Sequence, residues 1–193
     1  MDRFKFAPAQ SGDLIYGAQR PGYSAHRVGK QEVDDWIEFM KGRGIRRVCC
    51  LLAASQLDYY DPALLKQYYQ AFGSARVLSA PVEDYHLCDQ ATLDTKILPF
   101  LVAADEASEP TVVHCSGGSG RTVQILAAWL VRKHGLSVKA AIDTVRNTDR
   151  NSLEAVGLHA TEADLYALLE NPVDASDEPG KLRADPLGCA DER

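Results

Sequence analysis

The sequence predicts an α/β fold with a central, mostly parallel sheet flanked by helices. Two observations carry this expectation. Short apolar, β-branched runs alternate with segments whose apolar residues recur at helical spacing. That alternation calls for parallel strands joined by crossover helices and covered on both faces. A glycine-rich turn at residues 115–120 lies between one such run and a segment that is apolar nearly all round, and open parallel sheets carry their sites beyond the carboxyl ends of their strands.

The first elements follow from local pattern. Residues 13–17 read as a short strand leading into a loop at 18–23, marked by Pro21 and Gly22. Within residues 31–43, Val33, Trp36, Ile37 and Met40 share one face of an amphipathic helix, and Gly42 and Gly44 bracket its end. Residues 45–52 form an apolar central strand, in which Cys49 and Cys50 serve as small hydrophobes. Asp61-Pro62 reads as an N-cap and first helical position for a helix over 63–72, with Gly73 just past its end.

Residues 76–82 are the next strand, and 81–89 a polar loop. A helix over 92–107, bent by Pro99, leads back to the strand around Val112. After the glycine-rich turn, residues 123–131 form a buried central helix. Ser137 caps a helix running through Val145, a turn follows at 150–155, and a last helix spans 161–170. Residues 1–170 are expected to form a single domain, and the acid-rich, apolar-poor stretch 171–193, with Cys189, a disordered tail.

Composition excludes several classes of function. The 193 residues, 46% hydrophobic, suffice for one well-buried domain. A net charge of −6 and a pI near 5.3 argue against nucleic acid or an anionic membrane surface as a general partner. Five cysteines at irregular spacing fit neither a disulfide framework nor a zinc site. No run approaches the length of a membrane span, and residues 1–5 do not lead into a signal-peptide core. The expectation is a cytoplasmic monomer with no cofactor and no metal.

The chemistry concentrates at residues 112–122. Consecutive backbone N–H groups of Ser116, Gly117, Gly118, Ser119 and Gly120 would line one concavity, with the positive end of a helix dipole behind it. Such a cradle suits a tetrahedral anion. A helix N-terminus and a nearby cation both favour the thiolate of Cys115, the reactive nucleophilic form. Arg121 is that cation, and its planar fork suits two oxygens of a phosphate. A nucleotide-binding loop would need glycine at Cys115 and lysine at Arg121, and a nucleophile elbow on Ser119 would need glycine at Arg121.

The His-Cys-x5-Arg-Thr spacing resembles the signature of the cysteine-dependent protein tyrosine phosphatase superfamily, and its small intervening residues resemble the atypical dual-specificity branch. The resemblance implies that His114 orients the loop, that Cys115 becomes a phosphocysteine, that Arg121 binds substrate and transition state, and that the Thr122 hydroxyl helps the thiolate leave.

A departing alkoxide needs a proton, so one of the acids in loop 81–89 is expected to be the general acid. The resemblance favours Asp84, with Glu83 and Asp89 as rivals. His86 and Cys88 read as loop residues, not metal ligands. By the same resemblance the turn at 150–155 lines the site, where Glu154 or Asn151 would position water or be purely structural. Arg20 is read either as a structural arginine or as a contact to substrate.

The function expected is a metal-independent phosphatase acting on phosphotyrosine, and on phosphoserine or phosphothreonine, in proteins or peptides. The absence of lysine between Cys115 and Arg121 disfavours highly charged inositol phosphates. Two alternatives use the same loop. One is a catalytically silent phosphate-binding module, and the other a sulfurtransferase with a persulfide-forming Cys115.

Overall fold

A computed structural model of the chain describes residues 3–148 and 159–170. Five strands, β1 (Ala7–Pro8), β2 (Ile15–Gln19), β3 (Arg47–Cys50), β4 (Val77–Ser79) and β5 (Thr111–Cys115), form one sheet in the order β1-β2-β5-β3-β4. β2, β5, β3 and β4 run parallel, and β1 pairs antiparallel with β2. The predicted mostly parallel sheet is therefore present. The antiparallel edge strand escaped the sequence reading because two residues carry no alternation signal.

All five residues of β5 are buried, as a parallel strand covered on both faces requires. On one face lie α1 (Lys30–Gly42) and α3 (Leu64–Phe72), and on the other α5 (Leu98–Glu106), α6 (Gly120–His134), α7 (Val138–Arg146) and α8 (Glu162–Glu170). The predicted stripe of α1, Val33, Trp36, Ile37 and Met40, is its buried set. Cys49 and Cys50 are fully buried, one in each core layer, as the two-residue period of a strand dictates. Burial pushes the Cys50 thiol up to about 12 and Cys49 well above its ordinary range, which leaves both inert.

Three expectations need correction. The helix expected to start at Asp61 starts at Leu64, with Ala63 at its N-cap. The Asp61 N–H instead donates to the Val28 carbonyl at 3.1 Å beside a Val28–Tyr60 bridge, so a tertiary pairing displaced the local cap. The short helix α2 (Ala54–Leu57) was not foreseen. The helix expected over 92–107 is divided into α4 (Gln90–Thr92), a wide π turn over Leu93–Ile97, and α5. Pro99, at the start of α5, lacks an N–H, and the irregularity falls on the turn before it. Asp89 caps α4, its Oδ1 accepting from the Thr92 N–H at 2.8 Å.

Ser137 caps α7 through its hydroxyl, which accepts from the Ala140 N–H at 3.3 Å. No helix among the described residues is long and apolar enough to cross a membrane. The turn at 150–155, with Asn151 and Glu154, and the stretch 171–193 lie outside the described residues.

Candidate active site

Cys115 ends β5 and Gly120 begins α6, so the loop between them opens at the carboxyl end of the central strand. Its shape depends on Gly118. There φ is +69°, and an added Cβ would lie 2.7 Å from the Ala18 carbonyl carbon and the Gln19 nitrogen, both backbone atoms of β2. Only glycine meets both demands. At Gly117 the nearest atom to such a Cβ is the Tyr23 hydroxyl oxygen at 3.5 Å, an ordinary contact.

Arg20, 1% exposed, supports the loop from the end of β2. Its Nε donates to Ser116 Oγ at 3.2 Å and its backbone N–H to the Ser116 carbonyl at 3.1 Å. Nη1 donates to the Pro21 carbonyl and the Tyr60 hydroxyl, both at 3.3 Å, and Nη2 to the Ala25 carbonyl at 2.6 Å. These are the contacts of a structural arginine. At the far end of the loop Lys5 Nζ donates to Ser119 Oγ at 3.3 Å.

The Cys115 sulfur is buried at the base of this loop, with the residue 3% exposed. The Thr122 hydroxyl, in the first turn of α6, donates to it at 3.1 Å. His114 points to the opposite face of β5. Burial lowers its pKa to about 4, with the Arg121 and Arg20 charges acting the same way against the raising effect of a hydrogen bond to the Cys115 carbonyl. The ring is therefore neutral near pH 7. With its proton on Nδ1 it donates to the Cys115 carbonyl at 3.3 Å, and Nε2 accepts from the Tyr68 hydroxyl at 3.2 Å.

Arg121, 3% exposed, reaches from the first turn of α6 to the ends of two neighbouring strands. Nη1 donates to the Val82 carbonyl at 2.8 Å, the Leu51 carbonyl at 3.4 Å and Gln56 Oε1 at 2.9 Å. Nη2 pairs with Asp84 Oδ1 at 2.8 Å. Gln56 also donates through Nε2 to Asp84 Oδ2 at 2.9 Å. Of the loop acids singled out from sequence, Asp84 meets Arg121, whereas Asp89 is the cap of α4 and its carboxyl is held below the ordinary range mainly by the Thr92 N–H.

The loop carrying Asp84 is tied to α6 by Gln124. Its Oε1 accepts from the Cys88 N–H at 2.6 Å and its Nε2 donates to the His86 carbonyl at 3.2 Å. His86 stacks on His159 with ring centres 4.3 Å apart. Gln56, Gln124, Tyr68 and Lys5 were not singled out by sequence, because each reaches its partner across the fold and none stands in a local motif.

With this geometry in view, residues 26–163 match a family model described as PTP-SAK, Swiss Army Knife protein, DSP-PTPase phosphatase domain. The chain belongs to this family. The PTP-SAK match takes in Gln56, Asp84 and the Cys115 loop, while β1, β2 and Lys5 precede it. The dual specificity protein phosphatase Mpk3 of Drosophila melanogaster is 30% identical over 83 residues, which are 43% of this chain and 20% of Mpk3. The chain thus spans about one fifth of that relative's length.

Among solved structures, two illustrate the likeness of fold. Kinase associated phosphatase, with its catalytic-site cysteine substituted by serine, superposes with a TM-score of 0.64 at 24% identity, over 81% of this chain and 83% of that one. Tk-PTP in its active form gives 0.57 at 22% identity, over 80% and 87%.

Proposed function

We propose that this chain is a metal-independent phosphatase that hydrolyses phosphotyrosine, and phosphoserine or phosphothreonine, in proteins through a phosphocysteine intermediate. The observation that carries the reading is that two contacts meet at one strand-loop-helix unit, the Thr122 hydroxyl on Cys115 Sγ within it and Arg121 on Asp84 of the loop after β4. They join a nucleophile, its leaving-group partner, an anion-binding fork and an acid. Family membership supports the phosphatase class.

In this reading the Cys115 thiolate attacks phosphorus while the phosphate lies on the N–H groups of residues 116–120 and on Arg121. The bond to the substrate oxygen breaks, and the Asp84 carboxyl gives that oxygen its proton. The ionised Asp84 then takes a proton from water as the water oxygen bonds to phosphorus. The P–S bond breaks, and the Thr122 hydroxyl stabilises the departing thiolate by its hydrogen bond. His114, neutral between Tyr68 and the Cys115 carbonyl, keeps the strand end in place. Residues 1–170 act as one catalytic domain.

The test is phosphate release from a nitrophenyl phosphate and from a phosphotyrosine peptide with a chelator present. Release that persists with the chelator and vanishes in Cys115→Ser supports the reading, because a hydroxyl is far less ionised than a thiol while the N–H cradle remains. Phosphate binding without release would mark a silent binding module. Full activity in Cys115→Ser would overturn the assignment.

A further inference from the structure

Gln56 touches both Arg121 and Asp84, and the arrangement closes on itself. Gln56 Oε1 accepts from Arg121 Nη1 at 2.9 Å, Gln56 Nε2 donates to Asp84 Oδ2 at 2.9 Å, and Asp84 Oδ1 pairs with Arg121 Nη2 at 2.8 Å. A guanidinium only donates and a carboxylate only accepts, so the orientation of the amide is dictated by its partners. Each carboxylate oxygen has its own partner.

The side chain is well held. Gln56 is 6% exposed, and its Oε1 also accepts from the Ala53 N–H at 3.3 Å, rooting it where α2 leaves β3. The Leu51 carbonyl on the same connection takes Arg121 Nη1 at 3.4 Å. Asp84, by contrast, has a side chain 45% exposed on a loop. Its geometry is therefore set largely by what grips it.

We propose that Gln56 is a positioning residue that holds the acid and the arginine in fixed mutual geometry and selects which oxygen of Asp84 delivers the proton. The inference rests on the phosphatase reading above. When a phosphate takes over Arg121 Nη2, the bond from Gln56 Nε2 to Asp84 Oδ2 remains, and Oδ1 is released as the oxygen that carries the proton. Gln56 Oε1 meanwhile keeps Nη1 in place, so the fork turns about a fixed point.

No other side chain of this length does both tasks. Glutamate accepts from Arg121 but sets a carboxylate against Asp84. Lysine donates to Asp84 but sets a cation against Arg121. Methionine keeps the length and does neither.

The test compares wild type, Gln56→Met and Gln56→Glu in single-turnover phosphorylation of Cys115, with a nitrophenyl phosphate and a phosphotyrosine peptide over a pH series. With the proposed role, Gln56→Met slows the peptide about 10-fold more than the aryl phosphate, because the activated leaving group needs little protonation. In an Asp84→Asn background that extra loss disappears. In Gln56→Glu the added negative charge favours the protonated acid, and the basic limb of the pH-rate profile moves up by about one unit.

A purely structural Gln56 would lower both substrates by one common factor in Gln56→Met, and that result overturns the proposal. If Gln56→Met does not fold, Gln56→Leu, which also lacks both hydrogen bonds, is compared on the same two substrates and decides in the same way. Wild type that releases no phosphate from either substrate would instead sink the phosphatase reading itself.

Discussion

Arg121 Nη2 lies 2.8 Å from Asp84 Oδ1, so the cation that follows the Cys115 loop and the acid of the loop after β4 form an ion pair. One partner is 3% exposed and the other 45%, which makes Asp84 the member free to move when an anion arrives. In the proposed cycle, substrate and Asp84 therefore compete for one nitrogen.

Arg121→Lys is expected to lower kcat/KM by about 100- to 1,000-fold, the range typical for loss of a donor to transition-state charge. An ammonium has no planar fork with which to reach Gln56, Asp84 and a phosphate together. Steady-state kinetics on the phosphotyrosine peptide checks this, and near-normal turnover would mean that Arg121 holds the strand ends but not the substrate.

Asp84→Asn is expected to reduce the rate of Cys115 phosphorylation by a factor that grows with the basicity of the leaving group, toward about 10,000-fold at the phosphoserine end. The same carboxyl acts in both steps of the proposed cycle, so single-turnover rates are the measurement to make. A constant factor across nitrophenyl, tyrosyl and seryl phosphates would exclude Asp84 as the acid, and Glu83 would then be the acid to test.

Gly118→Ala should destabilise or reshape the loop, whereas Gly117→Ala should be tolerated. At Gly118 the new methyl meets fixed β2 backbone at 2.7 Å in a left-handed conformation, while at Gly117 it meets the edge of an exposed tyrosine at 3.5 Å. Thermal unfolding together with inorganic phosphate affinity will separate the two. Equal behaviour of the two variants would contradict the packing of the loop on β2.

His114 predicts a pH effect on stability with a definite sign. Its pKa is lowered to about 4 in the folded state against about 6.5 unfolded, so between these values the unfolded chain binds a proton that the folded chain does not. Stability should fall as pH drops through this window, by up to about 3 kcal/mol, and be unaffected by this group above it. Denaturant titrations at pH 4 to 7 should show a shallower dependence for His114→Asn than for wild type, whatever its absolute stability. Parallel curves would show that His114 does not stay neutral in the fold.

The sequence by itself determined what lies within one stretch of chain. Cys115, the small residues after it and Arg121 read as an anion site because strand, loop and first helical turn are contiguous. The buried stripe of α1 and the Ser137 cap are equally local, since helical periodicity and capping act over a few residues.

Tertiary structure decided the rest. The strand order puts β3 and β4 to one side of β5, so the connections after them, bearing Gln56 and Asp84, converge on Arg121. β2 on the other side brings Arg20 behind Ser116 and backbone against Gly118. The same force overrode local signals at Asp61, whose N–H found Val28 before it could begin a helix. Hydrogen bonds within a turn are written in spacing, but a bond between distant segments depends on where the packed sheet sets their ends, and no local pattern encodes that.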